Sequence, residues 1–143
     1  MIILDIKKEV NQLIRKFGTN NPYDIARELN ISVTFEELGS IYGYYNSPLR
    51  MKQIHINQNL PEHLKKFTCA HELGHAIMHP KSNTPFLKNN TFLSVQKMEI
   101  EANKFATELL ISDDVISDHK NFTTGQLATL LGYSEELIML RMK

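Results

Sequence analysis

The chain has 143 residues, 42% of them hydrophobic, which is enough apolar side chain for one ordinary core. Its 16 basic and 16 acidic residues give a formal net charge of zero, which argues against a protein built mainly to grip a phosphate backbone with a clustered basic face. The single cysteine, Cys69, excludes an intramolecular disulfide, no apolar run approaches the ~20 residues of a membrane span, and Asp5, Lys7, Lys8 and Glu9 break the apolar start too early for a signal peptide, so one cytoplasmic domain over residues 1–143 is the expectation.

Residues 3–17 carry apolar side chains at Ile6, Val10, Leu13, Ile14 and Phe17, a helical spacing that Gly18 ends. Asn21 before Pro22 reads as an N-cap with proline in the first turn, and predicts a short helix through Ile25, Ala26 and Leu29. The period then falls to two, because Ile31, Val33 and Phe35 alternate with polar residues as in a strand. Residues 41–45 give a second strand, and Gln53–Asn57 a third with Ile54 and Ile56 on one face. The turn-like Asn46, Ser47 and Pro48 lie between these two. Strands so close in sequence predict a small three-stranded antiparallel sheet.

Pro61 opens a long helix that Pro80 must stop. Residues 81–93, with Pro85 and several Asn and Thr residues, read as a loop. Helical spacing returns near Ser94 and lasts to about Leu110. Short helices are expected at 124–131 and 135–142, each after a Thr or Ser, with Gly132 between them. Helices, a sheet and then helices make an α+β domain.

The helix after Pro61 carries His71, Glu72, Leu73, Gly74 and His75, an HExxH pattern. Four residues on a helix is about one turn, so both imidazoles share a face and can meet one Zn²⁺ at about 2.0–2.1 Å. Glu72 stands beside them, within reach of a water on that ion, where a general base is needed. Gly74 leaves room for a close helix neighbour. The plainer alternative is two surface histidines beside a carboxylate, and the amphipathic helix around the motif favours the metal.

A catalytic zinc takes three protein ligands and leaves one position open. The helix over 98–106 offers Glu99 and Glu101, which face about 200° apart, so both cannot point at one ion. Glu99 shares the stripe of Ala102, Ala106 and Leu109, the most core-like face, whereas Glu101 lies to the side with Phe105. Glu99 is therefore the expected third ligand. Asn103, one turn on, is placed to orient a ligand from behind.

These residues, with Phe67, Thr68, Cys69 and Ala70 before the motif and Leu109, Leu110 and Ile111 after the second helix, resemble the ImmA/IrrE family of metallo-endopeptidases. Ile25 to Leu29, Gly43 to Tyr45 and Ile54 to Asn57 also read like that family, so the match covers nearly the whole chain. The resemblance implies a gluzincin-like fold, zinc held by His71, His75 and Glu99, and Glu72 as the catalytic carboxylate. It also implies a protein substrate, a helix-turn-helix repressor of a phage or mobile element, whose cleavage relieves gene silencing. Many relatives have Pro where this chain has Ser112, a difference at a helix end.

Other residues are weighed against this reading. Tyr44, Tyr45, His79 and Tyr133 are candidate oxyanion stabilisers, with no basis in the sequence for choosing among them. His79 continues the face of His75 but cannot reach the same ion on a straight helix, so a helix-end or substrate-cleft role is expected. His55 should face away from Ile54 and Ile56. His63 and His119 read as surface residues, and Cys69 as a small buried one. The competing functions are a protein-binding antirepressor without proteolysis and a helix-turn-helix DNA-binding regulator built on 124–134. For the latter, the acidic first turn of the next helix, Glu135 and Glu136, would face phosphates badly.

Overall fold

A computed structural model of the chain describes residues 5–81, 86–87 and 97–143. The expected loop at 81–93 and the helix start near Ser94 fall largely outside the described residues. The element order is α1 (Ile6–Phe17), α2 (Pro22–Glu28), β1 (Ser32–Glu36), β2 (Ile41–Asn46), β3 (Gln53–Asn57), α3 (Glu62–Met78), β4 (Phe86–Leu87), α4 (Lys97–Leu110), α5 (Asp113–Asp118), α6 (Thr124–Leu131) and α7 (Glu135–Met142). Helices and sheet are arranged as α+β, and no described helix is long and apolar enough to cross a membrane.

Local signals set the helix ends. The Asp5 side chain accepts from the Lys8 amide to start α1, and Gly18 closes it in the left-handed region at φ 68°. Asn21 caps α2 and Pro22 takes its first position. Thr123 and Gln126 form a reciprocal capping box on α6, which Gly132 ends at φ 78°.

The helix α5 has no counterpart in the sequence reading. Ser112 caps it by accepting from the Val115 amide at 3.2 Å. At six residues and with none of them buried, α5 carries no apolar stripe that periodicity could detect.

The sheet order is β1-β3-β2-β4, and it is mixed rather than antiparallel throughout. β2 and β3 form the expected antiparallel pair, with Tyr45 opposite Ile54 and Gly43 opposite Ile56. β1 pairs with β3 in parallel, from Ser32 opposite Gln53 to Glu36 opposite Asn57. This corrects the expectation of consecutive hairpins.

The physical reason lies in burial and in one side chain. Ile54 and Ile56 are fully buried, so β3 takes the centre of the sheet, while half-exposed Phe35 suits β1 to an edge. The link from β1 to β2 then has to cross the end of β3. Buried Asn57 holds it there, donating from Nδ2 to the carbonyls of Gly39 at 3.0 Å and Ile41 at 2.9 Å.

The main core joins α1, α2, the inner face of the sheet, α3 and α4, through Val10, Ile25, Ile54, Phe67, Leu73 and Phe105. α3 is buried on every side from Phe67 to Ala76, because it lies between the sheet and α4. A smaller cluster of Ile111, Leu127, Ala128 and Ile138 holds the C-terminal helices together.

Two glycines set how closely α3 approaches its neighbours. A Cβ on Gly43 would lie 2.5 Å from the His55 carbonyl oxygen and 2.6 Å from Thr68 Cγ2, so β2 and α3 meet at a point only glycine allows. A Cβ on Gly74 would lie 3.1 Å from three atoms of Phe105, and its absence lets α4 close on α3 beside the HExxH turn.

Candidate metal centre

α3 and α4 bring three donor side chains to one point. His71 Nε2 lies 3.1 Å from Glu99 Oε2, and His75 Nε2 lies 2.7 Å from Glu99 Oε1. The two rings meet edge to face with centroids 4.9 Å apart, as expected for neighbours one helical turn apart. All three side chains are buried. Among the described residues they form the one cluster of His, Cys, Asp or Glu able to hold a metal ion, with donor atoms within 4.8 Å of one another.

Of the two candidate carboxylates at the start of α4, the structure brings Glu99 to the histidines and turns Glu101 elsewhere. Glu101 Oε1 lies 2.8 Å from His79 Nε2, and His79 Nδ1 in turn lies 3.0 Å from His75 Nδ1. On the other imidazole, Asn103 Oδ1 is 2.8 Å from His71 Nδ1, as its position one turn after Glu99 suggests. Each histidine that faces Glu99 therefore has a polar partner behind its ring.

The electrostatics follow from this crowding. Burial would raise the Glu99 carboxyl, but hydrogen bonds from His71 and His75 outweigh it and hold the group at about 2. Burial, opposed in part by Glu99, lowers His71 below the usual imidazole value. Glu72 goes the other way. It is wholly buried, and burial, with the negative charge of Glu99 as a second cause, pushes its carboxyl well above the usual range. Among the described residues, neither Glu72 oxygen has a hydrogen-bond partner.

The donor set fits a divalent ion. Two imidazole Nε2 atoms and a carboxylate converge, and bonds of about 2.0–2.1 Å to one tetrahedral ion would put ligand atoms roughly 3.3 Å apart. A neighbouring carboxylate without a hydrogen bond among the described residues is a group that water or substrate would satisfy. The buried His-His-Glu group is thus compatible with a metal site.

The remaining candidates have defined places. Tyr45 is buried and its hydroxyl donates to the Pro80 carbonyl at 2.8 Å, tying the end of α3 to β2. Tyr44 stacks on His55 at 4.3 Å, on the sheet face away from Ile54 and Ile56, as expected for His55. Tyr133 packs its ring against Phe67 at 5.3 Å. His79 touches the cluster through His75 alone. His63 is exposed, while His119 donates from Nδ1 to the Val115 carbonyl. Cys69 is buried, and burial raises its thiol.

α4 is also fastened from behind. Arg141 of α7 is buried, donating to the Ile111 carbonyl at 2.8 Å and to Asp113 at 2.7 Å, and lies 3.5 Å from Glu108 on α4. Lys104 reaches Glu108 at 2.8 Å and donates to the Leu140 and Arg141 carbonyls at the end of α7. Sequence reasoning missed this network. The signal available was the Lys104–Glu108 spacing on one helix, which is common on exposed helix faces and does not reveal burial.

Comparison with known proteins agrees with the geometry. The family model described as the IrrE N-terminal-like domain, a peptidase family, matches residues 26–143. The chain is 47% identical over 139 residues to "Uncharacterized immunity region protein 2" of Bacillus phage phi105, covering 95% of this chain and 88% of that one. It is 34% identical over 135 residues to "Metallopeptidase ImmA" of Bacillus subtilis (strain 168), covering 93% of this chain and 75% of the relative. With a family match over most of its length and a metal-compatible pair of helices at its centre, the chain belongs to the ImmA/IrrE family of metallopeptidases.

Proposed function

We propose that this protein is a zinc-dependent endopeptidase, with His71, His75 and Glu99 as the metal ligands and Glu72 as the catalytic carboxylate. The observation that carries the reading is the Glu72 side chain. It is fully buried, accepts no hydrogen bond from the described residues, and lies 4.0 Å from His71 Nε2 at the edge of the His-His-Glu group. A carboxyl buried in such a place lowers stability, which marks it as a candidate functional group. Two histidines from one helix and a glutamate from a later one are also the ligand arrangement of a gluzincin.

His71, His75 and Glu99 would hold the zinc, which would supply Lewis acidity to the scissile carbonyl and lower the pKa of water there. Glu72 takes a proton from the attacking water as the new carbon–oxygen bond forms. It then delivers that proton to the leaving amine nitrogen as the carbon–nitrogen bond breaks. A carboxyl raised by burial is suited to holding a proton between these two steps. Asn103 accepts from His71 Nδ1–H, which leaves Nε2 unprotonated for the metal.

The substrate in this reading is a helix-turn-helix repressor of a phage or mobile element, and the setting is the cytoplasm, where such a repressor acts. The relative from phage phi105, named as an immunity region protein, supports a role in that circuit. DNA binding by the chain itself is disfavoured by α7, whose first turn exposes Glu135 and Glu136 and whose Leu137, Ile138 and Arg141 are buried within the protein. The test is co-expression with the repressor encoded beside its gene, followed by immunoblotting. Wild type should shorten the repressor and Glu72→Gln should leave it whole. An intact repressor with both would overturn the proposed substrate. Derepression by Glu72→Gln without cleavage would instead favour a binding antirepressor.

A further inference from the structure

The geometry points to His79 and Glu101 as a positioning relay for His75, a chain of two hydrogen bonds that fixes which nitrogen of the His75 ring faces the metal. The inference rests on the proposed zinc site and extends it to two residues outside the ligand set.

The argument is one of donors and acceptors. His75 Nδ1 and His79 Nδ1 face each other at 3.0 Å, a separation at which one must carry a proton and the other a lone pair. A ligand nitrogen carries no proton, so with His75 Nε2 turned to the metal its proton sits on Nδ1. His79 Nδ1 is then the acceptor, and its own proton sits on Nε2. That N–H points at Glu101 Oε1, 2.8 Å away, an acceptor whenever the carboxyl is ionised. Every hydrogen bond in the chain is satisfied by this one arrangement of protons. With the opposite tautomer of His75, His79 Nδ1 would have to donate, and its Nε2 would present a lone pair to the Glu101 carboxylate.

The relay is held in place from the sheet. The His79 amide donates to the His75 carbonyl at 2.7 Å, which closes the last turn of α3. Tyr45 OH donates to the next carbonyl, that of Pro80, at 2.8 Å, and Lys52 Nζ donates to the Ala76 carbonyl at 2.8 Å. His79 and Glu101 side chains are only 10% and 18% exposed, so water competes little for these bonds. The two imidazoles are thus treated differently: a neutral amide, Asn103, orients His71, whereas a chain ending in a carboxylate orients His75. Glu99 and Glu101, on different faces of α4, serve the same metal at one and three removes.

Zinc affinity of the full-length protein, measured by competition with a chelator, tests this together with histidine ring ¹⁵N NMR of the zinc-loaded state. Wild type should show His75 protonated at Nδ1 and His79 at Nε2. His79→Ala and Glu101→Ala should each weaken zinc binding by about 10–100-fold. Glu101→Gln, which keeps an acceptor oxygen, should lose less and retain the wild-type His75 tautomer. If His79→Ala does not fold, the Glu101 pair decides. Zinc affinity within twofold of wild type in Glu101→Ala, with an unchanged His79 ring signal, would overturn the relay and leave the zinc site standing. A wild-type protein that takes up no zinc, or a His71→Ala variant that holds it equally well, would overturn the zinc site and the relay together.

Discussion

Glu72 Oε2 stands 4.0 Å from His71 Nε2, yet neither oxygen of Glu72 accepts a hydrogen bond from the described residues. A buried polar group without a partner lowers stability by roughly 1–3 kcal/mol, and more if it is charged. Function and stability therefore pull apart at this residue. Glu72→Gln should abolish proteolysis while keeping zinc, and should melt at a higher temperature than wild type once both are stripped of metal by a chelator. The comparison is made by thermal denaturation in excess chelator, and an equal or lower midpoint for the variant would count against the assignment.

The same residue gives the chelated protein a pH dependence. Its folded carboxyl is raised above the unfolded value, so its contribution is fully present below the ordinary carboxylate range and is lost as pH rises toward the raised value. Glu99, held at about 2, contributes in the opposite sense, above the ordinary range, and loses that contribution as pH falls toward 2. Urea midpoints from pH 4 to 8 should fall relative to Glu72→Gln as pH rises. A constant difference across that window would contradict the burial argument.

Glu99→Ala should lose stoichiometric zinc, because two histidines alone leave the ion without its third ligand. Glu101→Ala should still load one zinc per chain at saturating metal, with weakened affinity. Metal content after gel filtration separates the two, and the reverse ranking would exchange their roles.

The helix contacts that aim the ligands are testable without touching them. Gly43→Ala places a methyl against the His55 carbonyl and Thr68, both under 3 Å, so α3 must shift off the sheet. A loss of about 1–3 kcal/mol is expected, read by urea denaturation. Gly74→Ala meets the Phe105 side chain at 3.1 Å and should be milder in stability, while weakening zinc binding by moving α4 and Glu99 outward.

Arg141→Ala should destabilise the fold by about 2–4 kcal/mol, because it leaves the Ile111 carbonyl unpaired and removes one cation from Glu108. Zinc affinity should fall less than for Glu99→Ala, since α4 is still packed on α3. Equilibrium unfolding with metal titration checks both statements.

The clustering of His71, His75 and Glu99 was legible in the sequence, because a helix converts spacing into direction. His71 and His75 had to share a face, and the choice of Glu99 over Glu101 followed from the alanines that share its stripe. Asn103 was placed by the same logic. Two things were not legible. The parallel pairing of β1 with β3 depends on Asn57 fastening a link across a strand end, a long-range contact with no local signature. The partnership of Glu101 with His79 joins different helices, and the faces assigned to each, read separately, suggested a lateral charge and a helix-end histidine. His55 was read correctly because strand alternation, like helical spacing, is a local rule.

The central claim is that Glu72 acts at a metal held by His71, His75 and Glu99 to cut a protein chain. The most direct measurement is intact-mass spectrometry of the proposed substrate, a purified helix-turn-helix repressor, after incubation with the zinc-loaded protein. The account predicts two fragments whose masses sum to the repressor plus one water, absent with chelator and absent with Glu72→Gln. Cleavage that persists undiminished in Glu72→Gln would contradict it.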